Sequence, residues 1–508
     1  MENGLTHYAF QSSPECLEIE VDYVVVGSGA GGGSAAVTLA RGGRSVAVVE
    51  AGAWRDPEDY PFTLYGAFRD LFDGWGASVT MGRALSPVLQ ARTMGGTTVI
   101  NSAIVVRTPG DIFDLWVDQV GLNDPTMAKS VWTYQDQIEA ELSVCPVPTE
   151  ALGRSNELAL QAAENLGIER HVIRRNVKGC FGHAQCLQGC RSGRKQSTNV
   201  TWIPEVRRRG GTVLSCAPVT RLMHKRGHVR GVEGRFIHPQ TGKRGSRFKV
   251  RSRRAVIVAA SVTHSPMILW RSGLKSPALG KGFRAHPGTA TLGSFDEPVD
   301  MTFGATQGMA STHFRNEPGL KLETLNMPLE LIAGRLSGAG TTLMQRVREY
   351  RHLALWVAAV RAQSVGSIRP GFGGKPQVFY TMNREDMIRL REGSIQLARL
   401  FFSVGAKAIM PGVHGLPYAL GPDQLHQLEN APLDPRAWTS ILTHLFGGCT
   451  MGADPRSSVC DFDGKVYGTE GLYVADASII PSVLGVNPQH TIMALARRIS
   501  TRLMEQNE

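Results

Sequence analysis

The sequence predicts an α/β fold in which an open, mostly parallel sheet is joined to a second domain of α+β type. The first observation is a β-α-β unit at residues 22–50, where an apolar strand runs into a glycine turn, a helix and another strand. The second is a pair of later apolar strands, at 256–260 and 472–476. The third is a change over residues 288–433 to short strands with insertions. These patterns indicate a Rossmann-like domain that is discontinuous in sequence, and a second domain built on an antiparallel sheet covered by helices.

Two domains also follow from the length, because 508 residues exceed what one ordinary hydrophobic core organises. No internal repeat, low-complexity tract or long linker interrupts the chain. We predict that residues 18–287, including a cysteine-containing loop at 178–195, form the Rossmann-like domain together with residues 434–508. Residues 288–433 are expected to form the second domain, a cap with a strand at Gln377–Tyr380 in its sheet.

One long helix is predicted in the cap from Thr341 to Ala362, where apolar residues recur at helical spacing beside four arginines. Packing against the core of the cap is the simplest interpretation of this stripe. A membrane surface or the roof of an apolar substrate cavity would also suit it.

The composition describes a globular protein with a basic balance, since 42% of residues are hydrophobic, 19% are charged and the net charge is +11. Basic residues are dispersed apart from short clusters at Arg207–Arg209 and Lys243–Arg254. No groove-reading motif accompanies them, so nucleic-acid binding is not expected. Simple solvation of the basic surface, or its docking to an anionic membrane or a redox partner protein, is compatible with this pattern.

The sequence also predicts the cellular location of the protein. Residues Met1–Glu20 are polar and acidic, without the charged-then-apolar pattern of a secretion signal. The sequence contains no run of about 18 uncharged apolar residues, which is the length needed to span a membrane. Eight cysteines in 508 residues do not form a secreted disulfide framework. We therefore expect a cytoplasmic protein, with peripheral contact at the inner membrane face as the alternative setting.

The β-α-β unit has the spacing of a dinucleotide-binding site. Gly27, Gly29 and Gly32 follow the first strand, and Glu50 ends the second strand, 23 residues after Gly27. In such sites the three glycines make the turn, admit the pyrophosphate and pack helix against strand. The acid accepts hydrogen bonds from the ribose, and the helix N-terminus attracts the phosphates. The strand, the helix and the acid all have the positions that a dinucleotide-binding unit requires. A glycine turn with a purely structural role would not explain this agreement.

Further motifs resemble the glucose–methanol–choline (GMC) family of FAD oxidoreductases. They begin with Glu50-Ala-Gly52 and Arg92–Asn101, and continue through Val256–Ala260, His264–Leu269, Phe283–Pro287, Leu397–Phe402 and His444–Pro488. The resemblance spans nearly the full length in the family's order, and it implies FAD as the cofactor. The residues that it places around FAD are Gly27, Gly29, Gly32, Glu50, Gly95, Gly96, Thr97, Asn101, Val219, Asp476, Ala477, Asn487 and Pro488.

Two positions depart from the family's pattern. Some members attach FAD covalently through a histidine that corresponds to Ile100 here, so the resemblance implies noncovalent FAD. The usual Ala-Ala-Gly after the middle strand reads Ala259-Ala260-Ser261, which predicts a less close approach of backbone to the cofactor. The resemblance also implies that Asp476 hydrogen-bonds the flavin side chain, and that a helix beginning near Pro488 directs its positive end toward the flavin ring.

A histidine and an amide flank the Asp-Ala-Ser turn of the C-terminal run, at His444 and Asn487. A histidine near an asparagine suits removal of a hydroxyl proton as hydride leaves the adjacent carbon. In the family that the run resembles, the residue at His444 is the base near flavin N5, and the residue at Asn487 orients the hydroxyl. We interpret His264 and His286 as structural, and His490 as a side chain that could face the same pocket.

The resemblance implies oxidation of an alcohol to an aldehyde or ketone, with oxygen, a quinone or a cytochrome as the electron acceptor. A hydrophobic alcohol (fatty, terpenoid or steroid) is expected, since few charged residues lie near His444 or Asn487 in sequence. A sugar or amino-sugar alcohol is the alternative within the family. A flavin-containing lyase or decarboxylase without net redox chemistry is the alternative of another class. The paired histidine and asparagine argue against a flavin-binding protein without catalysis.

Three cysteines, Cys180, Cys186 and Cys190, lie in a C-x5-C-x3-C pattern with His183 among them. The segment is similar to a cysteine-containing stretch of long-chain alcohol oxidases in this family. Its spacing resembles that of flavin sugar dehydrogenases whose catalytic subunit holds a three-iron cluster. An iron–sulfur cluster that relays electrons is therefore one hypothesis, and zinc bound by three cysteines and one histidine is a second. The third hypothesis is a set of reduced thiols packed in a loop beside the cofactor.

Overall fold

The computed structural model describes residues 6–506 of the chain. Its strands, in chain order, are β1 His7–Tyr8, β2 Cys16–Val26, β3 Val46–Val49, β4 Thr80–Met81, β5 Val144–Pro146, β6 His171–Val172, β7 Arg174–Asn176, β8 Thr212–Leu214, β9 Val219–Lys225, β10 His228–Ile237, β11 Arg244–Val258, β12 Lys281–Ser294, β13 Met309–Ser311, β14 Leu320–Thr324, β15 Leu353–Val360, β16 Gly366–Pro370, β17 Pro376–Phe379, β18 Ala408–Met410, β19 Ser440–Phe446 and β20 Leu472–Val474. Its α-helices are α1 Ala30–Arg41, α2 Leu64–Asp70, α3 Gly110–Val120, α4 Met127–Glu141, α5 Arg154–Asn165, α6 Trp202–Arg208, α7 His264–Arg271, α8 Leu329–Ala333, α9 Gly340–Arg348, α10 Arg384–Ser403, α11 Leu425–Glu429 and α12 Gln489–Glu505.

The first sheet has the Rossmann-like arrangement that the sequence predicts. Its strands follow the order β1-β8-β3-β2-β11-β10-β9, and β20 pairs with β11. The pairs β2–β3, β2–β11 and β11–β20 are parallel. β3 is a fully buried Val-Ala-Val-Val run, as expected for a strand covered on both faces. Because β2, β11 and β20 come from the N-terminal, middle and C-terminal parts of the chain, the predicted fold class and its discontinuity are confirmed.

The second sheet is mostly antiparallel and follows the order β4-β17-β16-β12-β15-β14-β13-β6. β18 and β19 pair with β12 as well, and α10 packs against β12 and β15. Strands from outside residues 288–433 join this sheet, namely β4, β6, β19 and the first part of β12. β12 is one continuous strand across residue 287, so it extends through the predicted boundary. The domain limits at residues 287 and 434 stay a prediction.

The prediction of one long helix from Thr341 to Ala362 is wrong over its second half. α9 ends at Arg348, a 3-10 turn follows at Glu349–His352, and β15 begins at Leu353. β15 pairs with β12 on one side and with β14 on the other, and most of its side chains are buried. A continuous apolar run of this length suits a buried strand or a buried helix equally, and only the pairing with neighbouring strands decides between them.

Membrane-spanning structure was not expected from the sequence. Among residues 6–506, no helix combines the length and the apolar character that crossing a membrane requires. The first five residues of the polar N-terminal segment lie outside the described residues.

Candidate active site

His444 lies near the end of β19 in an unusual backbone conformation. Its φ is 52°, in the left-handed region that residues other than glycine rarely adopt. β19 pairs with β12, so the second sheet holds the backbone on which the histidine is presented. Strained conformations persist only where the surrounding structure fixes them, and they concentrate at functional sites.

Asn487 lies opposite His444, shortly before α12. Its Nδ2 is 3.2 Å from Nε2 of His444, and the residue is buried. Nζ of Lys321 donates to Oδ1 of Asn487. Because an ammonium group can only donate, this bond fixes the amide with its NH2 group toward the histidine. The structure thus brings together two side chains that are 43 positions apart in sequence.

His286 is the partner of His444 at the other ring nitrogen. The two Nδ1 atoms are 3.1 Å apart, so they share a single proton and the tautomer of one ring determines that of the other. The N–H of Gly485 lies 3.0 Å from Nε2 of His286. Two neutral rings that share one Nδ1 proton leave only one Nε2 free to accept, so the Gly485 contact and the Asn487 contact favour opposite tautomers, and the Asn487 contact requires the shared proton on Nδ1 of His444. Burial, together with the neighbouring His444, lowers the pKa of His286 well below its usual range. The interpretation of His286 as structural does not account for this contact with His444, which its place in the Phe283–Pro287 motif could have indicated.

A buried ion pair stands behind Asn487. Nζ of Lys321 is 2.7 Å from Oε1 of Glu323, and both side chains are only 4% exposed. Nε2 of Gln307 donates to the other carboxylate oxygen at 3.2 Å. Burial alone would raise the pKa of Glu323, but the Lys321 cation holds that pKa below its usual range. The expectation of few charges near the pair therefore needs correction, because β14, distant in sequence, supplies one charge of each sign.

Burial also determines the protonation of His444. It lowers the pKa of the imidazole to about 4, while Glu323 opposes the shift and Lys321 adds to it. The ring is therefore neutral at neutral pH, and one of its nitrogens can accept a proton.

Two glycine segments face each other where the parallel strands end. Gly27 has a φ of 100°, and a Cβ there would lie 2.2 Å from the carbonyl oxygen of Ala259, so only glycine fits this turn. A Cβ on Gly96 would lie 2.8 Å from Cα of Gly29. A Cβ on Gly32 would lie 2.0 Å from the carbonyl oxygen of Gly27, so α1 could not pack as closely on the turn. The two segments therefore approach each other closely beside the N-terminus of α1, which fits a dinucleotide cofactor.

Glu50, the predicted ribose acceptor, is held against the glycine turn. One carboxylate oxygen accepts from the N–H and the hydroxyl of Ser28, at 3.0 and 2.7 Å. Among residues 6–506, the other oxygen accepts only from the N–H of Gly52, at 2.8 Å. A carboxylate oxygen has two lone pairs, so this second oxygen keeps the capacity for one more donor, such as a ribose hydroxyl.

Asp476 connects the Asp-Ala-Ser turn to the segment after β11. Its Oδ2 accepts from the N–H of Ser261 at 2.9 Å, and its Oδ1 accepts from the N–H of Ser478 at 2.8 Å. Ser261 has a φ of 93°, at the position where the family pattern has glycine. α12 begins at Gln489, directly after Pro488, so its N-terminus follows Asn487 as the sequence predicts.

Other predicted residues have contacts of their own. Asn101 donates from Nδ2 to the side chain of Gln489 at the start of α12, and Oγ1 of Thr97 accepts from the N–H of Ala91 at 3.3 Å. The carbonyl oxygen of Ala477 accepts from the N–H of Gly447, at 3.3 Å. These bonds tie the second glycine segment and the Asp-Ala-Ser turn to elements that bear the catalytic pair.

The remaining candidates are placed as follows. Val219 is buried at the start of β9, and Ile100 packs in a small apolar cluster with Tyr60 and Leu71. His264 pairs with Asp73, with 2.8 Å between Nε2 and Oδ2. Nε2 of His490 donates to the carbonyl oxygen of Gln135 at 3.0 Å, so that side chain is directed toward α4.

The cysteine loop surrounds a buried arginine. Nη2 of Arg175 is 2.8 Å from Sγ of Cys186, and Nη1 is 3.8 Å from Sγ of Cys180. Within the described range 6–506, no three His, Cys, Asp or Glu side chains converge as a metal site would require. The iron–sulfur and zinc hypotheses therefore gain no support. Burial raises the pKa of the Cys186 thiol, but the Arg175 and Lys195 cations outweigh it and lower that pKa to about 7.

Comparisons with known proteins agree with this site. Two family models described as GMC oxidoreductase match residues 22–288 and residues 369–496. An uncharacterized GMC-type oxidoreductase of Mycobacterium tuberculosis is 35% identical over 94% of this chain and 75% of its own length. One of Sinorhizobium fredii is 31% identical over 95% of this chain and 94% of its own length. A long-chain-alcohol oxidase of Arabidopsis thaliana is 28% identical over 99% of this chain and 70% of its own length.

Solved structures show the same fold. A formate oxidase of Aspergillus oryzae superposes with a TM-score of 0.74 at 16% identity, over 97% of this chain and 99% of that one. A pyridoxine 4-oxidase of Mesorbium loti gives a TM-score of 0.70 at 18% identity, over 95% and 99%. A Rossmann-like sheet with a glycine cleft, beside a sheet that presents a histidine, defines a dinucleotide-dependent oxidoreductase. The chain belongs to the GMC oxidoreductase family and is an FAD-dependent oxidoreductase, which confirms the resemblance.

Proposed function

We propose that the protein oxidises a hydrophobic alcohol, of fatty, terpenoid or steroid type, to an aldehyde or ketone. The observation that carries this proposal is the facing pair of Nε2 of His444 and Nδ2 of Asn487, 3.2 Å apart. Two such groups can hold one hydroxyl oxygen and remove its proton. Similarity to long-chain-alcohol oxidases supports the hydrophobic end of the substrate range, and we propose oxygen as the first acceptor to test, before a quinone or a cytochrome.

The residues of the pair have distinct roles in this proposal. Bound FAD supplies the hydride acceptor. His444 accepts the hydroxyl proton at Nε2, because burial keeps the ring neutral. Asn487 donates from Nδ2 to the same oxygen and stabilises the negative charge that develops on it. Proton acceptance at Nε2 requires the shared proton to lie on Nδ1 of His444, so His286 must then accept that bond.

FAD would be held noncovalently along the two glycine segments and the C-terminal turn. Gly27, Gly29 and Gly96 give it room, because a Cβ at Gly27 or Gly96 would meet backbone atoms, while the N–H groups of Gly27 and Gly96 already donate to Val49 and Thr93. The N-terminus of α1 would supply the backbone donors at the pyrophosphate. Glu50 offers an acceptor to the ribose, and the positive end of α12 lies beside Asn487. Ile100 stands where a covalent link would need a histidine, and its side chain is occupied in an apolar cluster.

Anaerobic mixing of the FAD-loaded protein with 1-dodecanol tests the proposal. We expect the visible flavin absorbance to bleach and dodecanal to form in equal amount. His444→Ala should slow bleaching by about 10²- to 10⁴-fold, because the proton acceptor is lost. His171→Ala is the matched control, since that histidine is surface-exposed and pairs with Glu169.

Three outcomes would contradict the proposal. Unchanged bleaching in His444→Ala would remove the histidine from the mechanism. Bleaching by a sugar alcohol but not by 1-dodecanol would favour the sugar dehydrogenase alternative. Turnover of a substrate without any bleaching would indicate a lyase or decarboxylase.

A further inference from the structure

One face of the molecule is apolar and basic, and the proposed reaction does not account for it. It is formed by residues 62–85 and 365–379, here named the docking face. Its large apolar side chains that are more than half exposed are Phe62, Tyr65, Trp75, Leu85, Val365 and Phe372. Contiguous exposed apolar surface on a monomer usually marks a contact site, because water gives it no favourable partner.

The two segments form one continuous surface. β4 lies parallel to β17, with Met81 opposite Phe379. The rings of Tyr65 and Trp75 are 5.9 Å apart, so α2 and the loop after it share their exposed side chains. Phe372 lies in the turn between β16 and β17, and its side chain is fully exposed.

Trp75 is presented by a strained loop. Gly74, Trp75 and Gly76 have φ values of 56°, 62° and 66°, three left-handed residues in succession. Such a φ costs free energy for a bulky side chain. Trp75 recovers little of that cost within the chain because it is 53% exposed. Strain that presents an aromatic ring to solvent indicates a partner outside the chain.

The charges on the docking face are arranged for an anionic partner. Its exposed charged side chains are all basic: Arg69, Arg83, Arg369 and Lys375. Part of this basic charge is paired within the chain, because Arg83 lies 3.1 Å from Asp434 and Arg69 lies 2.8 Å from Asp70. The two carboxylates within these segments are less exposed than the basic side chains. Asp70 is 7% exposed beside Arg55 and Arg69, and Asp73 pairs with His264.

Arginines also accompany the exposed rings. The guanidinium of Arg191 lies 3.6 Å from the ring centre of Phe62, and that of Arg369 lies 5.3 Å from that of Phe379. This pairing of rings with basic side chains is typical of a membrane interface, where the ring enters the apolar layer and the cation remains at the phosphates.

The docking face lies close to the catalytic histidine. Val88, the last residue of the hairpin at residues 78–88, forms a β-bridge with Leu442 on β19. Leu442 precedes His444 by two residues, and its N–H donates to the carbonyl oxygen of Pro87 at 3.3 Å. The hairpin of the docking face is therefore bonded to the strand that presents the base.

We propose that the docking face rests on an anionic phospholipid surface. The aromatic and aliphatic side chains enter the interfacial layer, and Arg369 and Lys375 meet the headgroup phosphates, with the ion-paired Arg69 and Arg83 beside them. Docking brings the active site beside the layer in which hydrophobic alcohols dissolve. This delivery of substrate rests on the proposed function, whereas the docking itself does not.

Co-sedimentation of the FAD-loaded protein with vesicles tests the docking. We expect binding to phosphatidylcholine vesicles that contain phosphatidylglycerol, weaker binding to phosphatidylcholine alone, and loss of binding at high salt. The affinity of the variant Phe62→Ser/Trp75→Ser/Leu85→Ser for these vesicles should be at least about tenfold lower, since the variant lacks apolar area that the lipid would cover. The control Val117→Ser/Leu166→Ser/Met344→Ser changes side chains that are 52%, 42% and 53% exposed elsewhere, and should bind normally.

Equal binding of both variants, or no binding to either vesicle, would overturn the docking proposal. Concentration-dependent self-association that is lost in the docking-face variant, without vesicle binding, would show a contact between copies and overturn it too. Bleaching by 1-dodecanol in detergent is measured separately. Vesicle binding without that bleaching would overturn the proposed function and leave the docking intact.

Discussion

His444 has a hydrogen-bonding partner at each ring nitrogen, Asn487 at Nε2 and His286 at Nδ1. Two partners fix the plane of the ring, and burial removes the water that would otherwise stabilise the charged form. Asn487 is in turn fixed by Lys321, which Glu323 neutralises. The reactive geometry at this scale is a chain of side chains, each oriented by the next.

The pH dependence of flavin reduction follows from the pKa of His444. A pKa lowered to about 4 means that the ring stays neutral above that pH and becomes protonated as the pH falls through it. We expect the anaerobic stopped-flow rate of reduction by an alcohol to be constant across neutral pH and to fall near pH 4. An inflection near the ordinary imidazole pKa, about 6.5, would contradict a buried neutral base.

The ion pair behind Asn487 can be removed in two ways. Lys321→Met should lower the free energy of unfolding by about 3–5 kcal/mol, because it leaves the Glu323 carboxylate buried without a cation. Lys321→Met/Glu323→Gln should recover much of that stability in urea titrations. Flavin reduction in the double variant should still be at least about tenfold slower than in the wild type, because the amide of Asn487 is no longer held in place.

The matched control for this pair is Lys249→Met/Glu18→Gln. That pair has a similar separation, 3.1 Å, but its side chains are 38% and 48% exposed. Exposed pairs contribute at most about 1 kcal/mol, so neither stability nor rate should change much. A wild-type rate in the Lys321/Glu323 double variant would show that the pair does not position Asn487.

At the scale of elements, β15 and the segment after β11 show how neighbours decide local conformation. β15 is a strand because β12 and β14 pair with both of its edges. Ser261 adopts a φ of 93° because its N–H must reach Asp476. In both places the tertiary contact overrides what the local residues favour.

Ser261→Gly should therefore stabilise the protein. Glycine adopts a φ of 93° without the Cβ clash, and the bond from its N–H to Asp476 is kept. We expect a gain of about 1 kcal/mol in the free energy of unfolding, offset in part by loss of the 3.3 Å bond from the hydroxyl to Gln90.

Thermal unfolding of the FAD-loaded protein measures this effect. Ser272→Gly is the control, because Ser272 has an ordinary φ of −85° and its hydroxyl accepts from the N–H of Leu222. The control should lose stability. A lower midpoint for Ser261→Gly than for the wild type would mean that the serine conformation is not strained.

At the scale of the whole molecule, the cofactor site joins segments that are far apart in sequence. Gly27 lies after β2, Gly96 follows β4, and Asp476 lies after β20. The base stands on β19 of the second sheet, whereas the glycine turn belongs to the first. A cofactor that contacts all of these segments adds binding free energy to the folded state alone.

FAD should therefore stabilise the entire fold without a covalent bond. At a concentration about 100 times its Kd, added FAD should raise the free energy of unfolding of the cofactor-free protein by about 2.7 kcal/mol. NAD at the same concentration is the control, and we expect no comparable effect. Acid denaturation followed by ultrafiltration should release all of the flavin into the filtrate, and flavin retained on the protein would contradict the prediction from Ile100.

Features that depend on short spacing are predictable from the amino-acid sequence alone. The glycine turn, the acid at Glu50 and the Asp-Ala-Ser turn are local, since each is specified by the conformations of a few consecutive residues. These local features predict the fold class and a dinucleotide cofactor, whereas FAD and the roles of His444 and Asn487 are implied by the resemblance that the longer motifs carry. The FAD oxidoreductase family was predictable for this reason.

Which distant side chains meet depends on the folded arrangement of the two sheets. Lys321 and Glu323 reach Asn487 from β14, and His286 reaches His444 from β12. In the cysteine loop, Arg175 occupies the neighbourhood of two thiols that spacing alone had suggested for a metal. Such contacts depend on how strands are ordered and registered in the sheets, and a sequence pattern a few residues long does not contain that information.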